Sequence, residues 1–240
     1  MTPFKQYEAK FAVVIPTFQE CENLTWLIPA IITNYQNCKV IVVDDFSEDG
    51  TARLIDDINA SHFSSRVHLI QRFNSPSYAQ SLLEGIRYAI QDGFETVIQM
   101  DADGSHPVAE IYQLSQSNAD VVIASRYVRG SKVVGVPIRR IFISKLGNIF
   151  LKLTKQSRVK DQTNGFRAFG KNALRVLKSF NSSETGFSIQ IEILRHLESQ
   201  NLLIVELPTT FEFRTIGNSK FTKSKLLEAF MLSLRNGRHQ

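Results

Sequence analysis

Five short runs of aliphatic and β-branched residues recur along the first half of the chain: "FAVVIP" (11–16), "KVIVVDD" (39–45), "RVHLI" (66–70), "ETVIQMDAD" (95–103) and "ADVVIAS" (119–125). A strand whose apolar run is nearly unbroken has no solvent face, so both of its sides must be covered. Helical patterns between the runs supply that cover, and together they predict an α/β fold with a single, mostly parallel central sheet flanked by helices. Helices are expected at 21–34, 51–61, 77–92 and 107–117. "SEDGT" precedes the second, and Pro107 stands at a first helical turn, which tolerates its missing N–H. At 240 residues the chain reads as one domain, 1–240, with no internal repeat or linker.

In such sheets ligands bind beyond the carboxyl ends of the strands. The polar punctuation falls there: "PTFQE" after the first run, "DDFSEDGT" after the second, "DADGSH" closing the fourth. Asp101 and Asp103 flank Ala102, so in an extended strand both side chains share a face. Two carboxylates that close repel each other unless a cation neutralises them, and hard divalent ions such as Mg²⁺ or Mn²⁺ take oxygen ligands while leaving positions for substrate phosphates. The same D-x-D also suits a plain turn. A second acidic pair, Asp44 and Asp45, ends another strand and favours the metal reading. His106 reads as a residue that caps or orients the turn.

Charge is divided unevenly along the chain. Residues 1–125 carry 7 basic and 16 acidic side chains, residues 126–175 carry 13 and 1, and residues 176–240 carry 8 and 6. A basic segment joined to an acidic one points to a partner bearing phosphate. Within it, "RYVRGSKVVGVPIRR" (126–140) has no clear period and reads as a mobile loop. Segments 139–154 and 223–238 read as amphipathic helices suited to a membrane surface or to packing on the sheet. Arg139, Arg140, Lys145 and Lys152 surround the apolar stripe of the first. No run approaches the roughly 18 apolar residues of a membrane span. Two cysteines, Cys21 and Cys38, match neither a disulfide framework nor a zinc pattern, which favours a reducing compartment.

The motifs "VVIPTFQE", "VIVVDDFSEDGT", "MDADGSHP", "ASRYVRG", "VKDQTNGFRAF" and "TTFEFRTIGNSK", in this order and spacing over about residues 11–225, resemble the polyprenyl-phosphate (dolichyl-phosphate) mannose synthases. These are inverting family 2 glycosyltransferases with the GT-A fold. The resemblance implies a donor pocket lined by Pro16, Phe18, Glu20, Val43 and Asp45, with Asp45 meeting the base or ribose and Ala102 touching the sugar nucleotide. It implies a metal, Mg²⁺ or Mn²⁺, on Asp101 and Asp103 with Ser105 beside them. Arg214 and Lys220 would face the diphosphate, joined by Arg126 as catalytic groups with Asp103. Arg126, Arg139, Arg140, Asp161, Arg167 and Glu192 would lie on the acceptor side, Glu192 otherwise pairing with Arg195 one helical turn on.

The implied reaction moves a hexosyl group, mannose from GDP-mannose, to polyprenyl phosphate on the cytoplasmic face of a membrane, where the enzyme would be a peripheral cytoplasmic protein. A membrane-embedded partner subunit is compatible with this; a nucleic-acid partner is not expected. Three departures stand out: Ser105 replaces a Gln found in some relatives, Phe18 replaces a common Tyr, and "RFNSPSYAQ" (72–80) lacks the Lys and Gly of the matching stretch. The last leaves UDP-glucose or another donor open; the competing reading within the fold is a transferase with a saccharide hydroxyl acceptor, for which Asp103 or Glu192 would serve as base. Other classes fit less well. A phospho-acceptor signalling domain needs its Asp pair after the first strand, a nucleic-acid module usually pairs its basic stripe with a stacking platform, and a dinucleotide-binding oxidoreductase needs G-x-G-x-x-G.

Overall fold

The apolar runs are unbroken because both faces of the sheet are covered. In the computed structural model, which describes residues 10–61, 66–135 and 157–212, β1 (Phe11–Thr17) is buried along its whole length. Its odd residues Phe11, Val13 and Ile15 pack with α1 (Cys21–Asn34), α2 (Thr51–Ala60) and α4 (Ile111–Ser115). Its even residues Ala12 and Val14 pack with α3 (Tyr78–Gln91), α5 (Lys171–Leu177) and α6 (Ile189–Ser199). The two-residue period of a strand thus sorts one run of side chains into two cores.

The main sheet has seven strands in the order β3-β2-β1-β4-β7-β5-β8. β2 (Cys38–Asp44), β3 (Val67–Gln71), β4 (Val97–Gln99) and β5 (Val121–Ser125) fall where the sequence places strands. β7 (Arg167–Phe169) enters between β4 and β5 and is antiparallel to both, while β8 (Ile204–Pro208) pairs parallel with β5. Part of the segment expected as a loop is β6 (Lys132–Val134), which pairs with β9 (Thr210–Glu212) in a separate parallel ribbon. The helix expected at 107–117 is a 3₁₀ turn, Val108–Glu110, followed by the short α4. Helix α3 lies so close to the sheet that a Cβ at Gly85 would come within 2.5 Å of Val14 and 2.9 Å of Val43.

β4 is shorter than the expected 95–103, and Pro16 explains why. The even residues of β1 bond toward β4, since the Ala12 N–H donates to the Thr96 carbonyl and Val14 accepts from Met100. Pro16 is the next in that row and has no N–H to offer. Pairing therefore ends at Gln99, opposite Val14, and the chain turns. The D-x-D sits in this turn, not in an extended strand, so turn geometry and not strand periodicity sets where its two carboxylates point.

Candidate active site

The turn after β4 is held from several sides. Asp103 Oδ1 accepts from both the backbone N–H (3.1 Å) and the hydroxyl (2.6 Å) of Ser105. Ser105 is buried and spends its proton on Asp103, so it orients that carboxylate. The Asp101 N–H donates to His106 Nδ1 at 3.1 Å, and His106 Nε2 meets Asn164 Oδ1 at 3.1 Å. Asn164 donates its own amide to the Ala124 carbonyl, which leaves Oδ1 as acceptor and places the His106 proton on Nε2. Phe166 stacks on His106 at 4.9 Å. Gly104 takes φ +74°, and a Cβ there would come within 2.6 Å of the Trp26 ring, so the turn is pressed against α1 as well.

Asp101 is bound from the other side. Its Oδ1 accepts the Tyr78 hydroxyl proton at 2.9 Å, while Tyr78 Oη receives Gln99 Nε2 at 3.1 Å and Gln190 Nε2 at 3.0 Å. Burial and the Asp101 charge push the Tyr78 phenol well above its ordinary value, so it stays a proton donor. Among the described residues no three His, Cys, Asp or Glu side chains cluster as a complete metal cage. The two carboxylates of the turn, with ligand positions left over, fit a divalent ion shared with a diphosphate better than one enclosed by protein.

The residues expected around the nucleotide divide. Phe18 and Glu20 are partly exposed beyond β1, with Glu20 accepting from Asn23 Nδ2 at 2.7 Å. Pro16 is buried at the end of β1. Val43 belongs to the core beneath α3, and Ala102 is buried in the α1-side core, so neither offers its side chain to a ligand. Asp45 also departs from expectation. It is only 4% exposed, ion-paired with buried Arg72, and accepts from the Ser77 N–H and the Ser81 hydroxyl, both at 2.8 Å. Its carboxylate ties the end of β2 to the start of α3. Asp44 is fully buried and taken up by Ser47, so the Asp44–Asp45 pair is no second metal site.

On the other side of the turn, Arg126 and Asp161, both expected on the acceptor side, form an ion pair with each other. Arg126 Nε lies 2.8 Å from Asp161 Oδ2 and Nη2 lies 2.7 Å from Oδ1, with Nη2 also 2.9 Å from Thr163 Oγ1. The guanidinium beside it holds the wholly buried Asp161 below the usual carboxylate range, and Asp161 with Asp101 in turn raises Arg126. Arg126 thus sits as a fixed cation whose charge reaches Asp101 in the turn after β4.

Arg167 is a correction. It is 1% exposed and donates to the carbonyls of Asn164, Gln190 and Gln162 at 2.7–2.8 Å. Burial lowers its pKa to about 10. Facing no acceptor, it staples the β7 entry to α6. Glu192 bonds the Ser182 hydroxyl rather than Arg195. Arg139, Arg140, Arg214, Lys220 and the helices 139–154 and 223–238 lie outside the described residues.

Sequence reading missed Tyr78, Gln99, Gln190 and Asn164. "NGFR" was visible as a block, but its work is to support the turn through Asn164, Gly165 and Phe166. The polar Gln99 inside the apolar run of β4 was the one signal available, since a buried amide in a central strand needs a partner.

Residues 12–177 match Glycosyl transferase family 2. The polyprenol monophosphomannose synthase of Mycolicibacterium smegmatis is 32% identical over 220 residues, covering 90% of this chain and 83% of the relative. The undecaprenyl-phosphate mannosyltransferase of Micrococcus luteus is 31% identical over 226 residues, covering 93% and 92%. Among solved structures, glucosyl-3-phosphoglycerate synthase from Mycobacterium tuberculosis in complex with Mn²⁺ and UDP-glucose superposes with a TM-score of 0.67 at 15% identity, over 95% of this chain and 79% of that one. At that identity the likeness shows a common fold.

Proposed function

The chain belongs to Glycosyl transferase family 2, and from that premise we propose that it transfers mannose from GDP-mannose to the phosphate of a polyprenyl lipid at a membrane surface, with inversion at the anomeric carbon. The observation that carries this reading is the braced Asp101–Asp103 turn at the strand ends, beside the Arg126–Asp161 pair. The identity to lipid-phosphate mannosyltransferases over nine-tenths of the chain supports the choice of substrates.

A lipid monophosphate is already ionised near neutral pH, so the acceptor oxygen needs no general base. What remains is to align the two substrates and to stabilise the negative charge gathering on the departing diphosphate. Asp101 and Asp103 would hold Mg²⁺ or Mn²⁺, which when bound supplies positive charge to the diphosphate oxygens. Ser105 and Tyr78 keep the two carboxylates in place, and Arg126 adds a fixed cation at the rim. Arg214 and Lys220 would complete the cationic side. No described helix is long and apolar enough to cross a membrane. The basic segments 139–154 and 223–238 would meet an anionic lipid surface, bringing the phosphate to the site while the tail stays in the bilayer.

A glucosyl donor is the second reading, favoured by the missing Lys and Gly at 72–80. One assay tests both. Purified protein is given labelled GDP-mannose or UDP-glucose, a short-chain polyprenyl phosphate, and Mg²⁺ or Mn²⁺, with EDTA as control. Label should enter the chloroform phase from GDP-mannose in a metal-dependent way. Label that stays aqueous with both donors overturns the lipid-phosphate reading.

A further inference from the structure

Tyr78 opens α3, far in sequence from the turn, yet its hydroxyl ends on Asp101. The hydrogen-bond arithmetic leaves that proton one destination. Gln99 Nε2 and Gln190 Nε2 both donate to Oη, at 3.1 and 3.0 Å, which occupies its acceptor capacity, and a phenol has a single proton to give. That proton is aimed at Asp101 Oδ1, 2.9 Å away. The ring is half-buried against the α3-side core and packed at 4.2 Å against Phe187, which hinders it from swinging away.

The surroundings are shaped to keep this contact. A Cβ at Gly165 would lie 3.1 Å from both Asp101 Oδ1 and Tyr78 Oη, so the approach of β7 leaves just enough room for the pair. The two glutamines pass their donors to Tyr78 while their own amide oxygens, Gln99 Oε1 and Gln190 Oε1, stay buried without a partner. Unsatisfied buried acceptors are costly and rare in folded proteins, and call for an explanation where they occur. Here the two amides serve the phenol, and the phenol serves one carboxylate.

We propose that Tyr78, backed by Gln99 and Gln190, is a positioning residue that holds Asp101 in the orientation needed to bind the divalent cation, and so sets the cation affinity of the site. This rests on the reading of Asp101 and Asp103 as the metal-holding pair. Outer partners of metal-ligating carboxylates typically change metal affinity by about 10- to 100-fold when removed.

The chain offers an internal probe. Trp26 is its single tryptophan and lies against Gly104, within the metal turn, so paramagnetic Mn²⁺ bound there should quench its fluorescence. The full chain is titrated with Mn²⁺ in the presence of GDP, and again with UDP, with no acceptor. Wild-type protein should show saturable quenching reversed by EDTA. Tyr78→Phe should need about 10- to 100-fold more Mn²⁺ for half-saturation, and at saturating Mn²⁺ its kcat should return close to the wild-type value. Gln190→Met, which keeps Tyr78 but removes one of its donors, should lie between the two and covers the case in which Tyr78→Phe does not fold. A folded Tyr78→Phe, or in its absence Gln190→Met, with a wild-type Mn²⁺ curve overturns the inference. Wild-type protein that shows no saturable quenching with either nucleotide overturns the metal reading itself, and the inference with it.

Discussion

Arg126 and Asp161 meet side-on, each nitrogen of the guanidinium fork opposite one carboxylate oxygen, at 2.8 and 2.7 Å. Asp161 is wholly buried and Arg126 is 16% exposed on its side chain. The pair therefore has little water to fall back on when one partner is lost. Asp161→Ala should cost about 3–5 kcal/mol in urea unfolding. The double variant Arg126→Met/Asp161→Leu should recover part of that loss, because no lone charge stays behind. Single-variant losses that simply add in the double variant would disprove the coupling.

The same pair sets an acid limit. Asp161 has a folded pKa below its ordinary value of about 3.9. Its contribution is therefore complete above that ordinary value and is lost as pH falls through the lower folded value. Asp44, raised by burial, works in the opposite sense. Thermal unfolding midpoints should fall below about pH 4, and Asp161→Ala should flatten that acid limb. An unchanged acid limb in the variant would show that other carboxylates set it.

Arg167 should behave as a structural residue. Arg167→Met abandons three buried carbonyls and should cost more than about 3 kcal/mol, as bonds to a charged donor are worth about 1.5–3 each. The KM for lipid phosphate in the folded fraction should match wild type. A raised KM at unaltered Tm would restore Arg167 to the acceptor side.

Ser105 separates two roles by a single oxygen. Ser105→Ala removes the hydroxyl bond to Asp103 and should raise the Mn²⁺ concentration for half-maximal activity by about 10- to 100-fold. Ser105→Thr, which keeps the donor, should stay near wild type. Equal behaviour of Ala and wild type in that titration would remove Ser105 from the site.

Gly85 carries the close approach of α3 to the sheet. Gly85→Ala gains about 1 kcal/mol of helix propensity but pushes a methyl into Val14 and Val43. Overpacking of about 1–3 kcal/mol should prevail and lower the unfolding midpoint. Gly186→Ala, with open space around it, should be close to neutral in the same measurement.

The first five strands were readable because burial on both faces leaves an unbroken apolar signature, and the D-x-D was readable because charge at the end of such a run stands out. The second half gave less away. β7 is three residues, "RAF", too short for a period, and it includes an arginine whose burial contradicts the usual place of that residue. His106 and Asn164 are 58 positions apart, and Tyr78 and Gln190 are 112 apart. No local pattern predicts such meetings. Tyr78 stands within 72–80, the stretch that departs from the lysine and glycines of its counterparts, so no motif marks it.

The direction of β7 has a topological consequence for how such a chain can change. The polypeptide leaves β5 at Ser125 and returns through Arg167 in the opposite sense, so the excursion between them starts and finishes on the same rim. A parallel strand at that place would have forced the connection to travel back beneath the sheet before re-entering. With both ends anchored beside Asp161 and Asn164, the intervening stretch can be lengthened, shortened or exchanged without altering the strand order. The antiparallel entry of β7 thus sets apart the sheet that carries the D-x-D turn from an excursion whose length the strand order does not dictate.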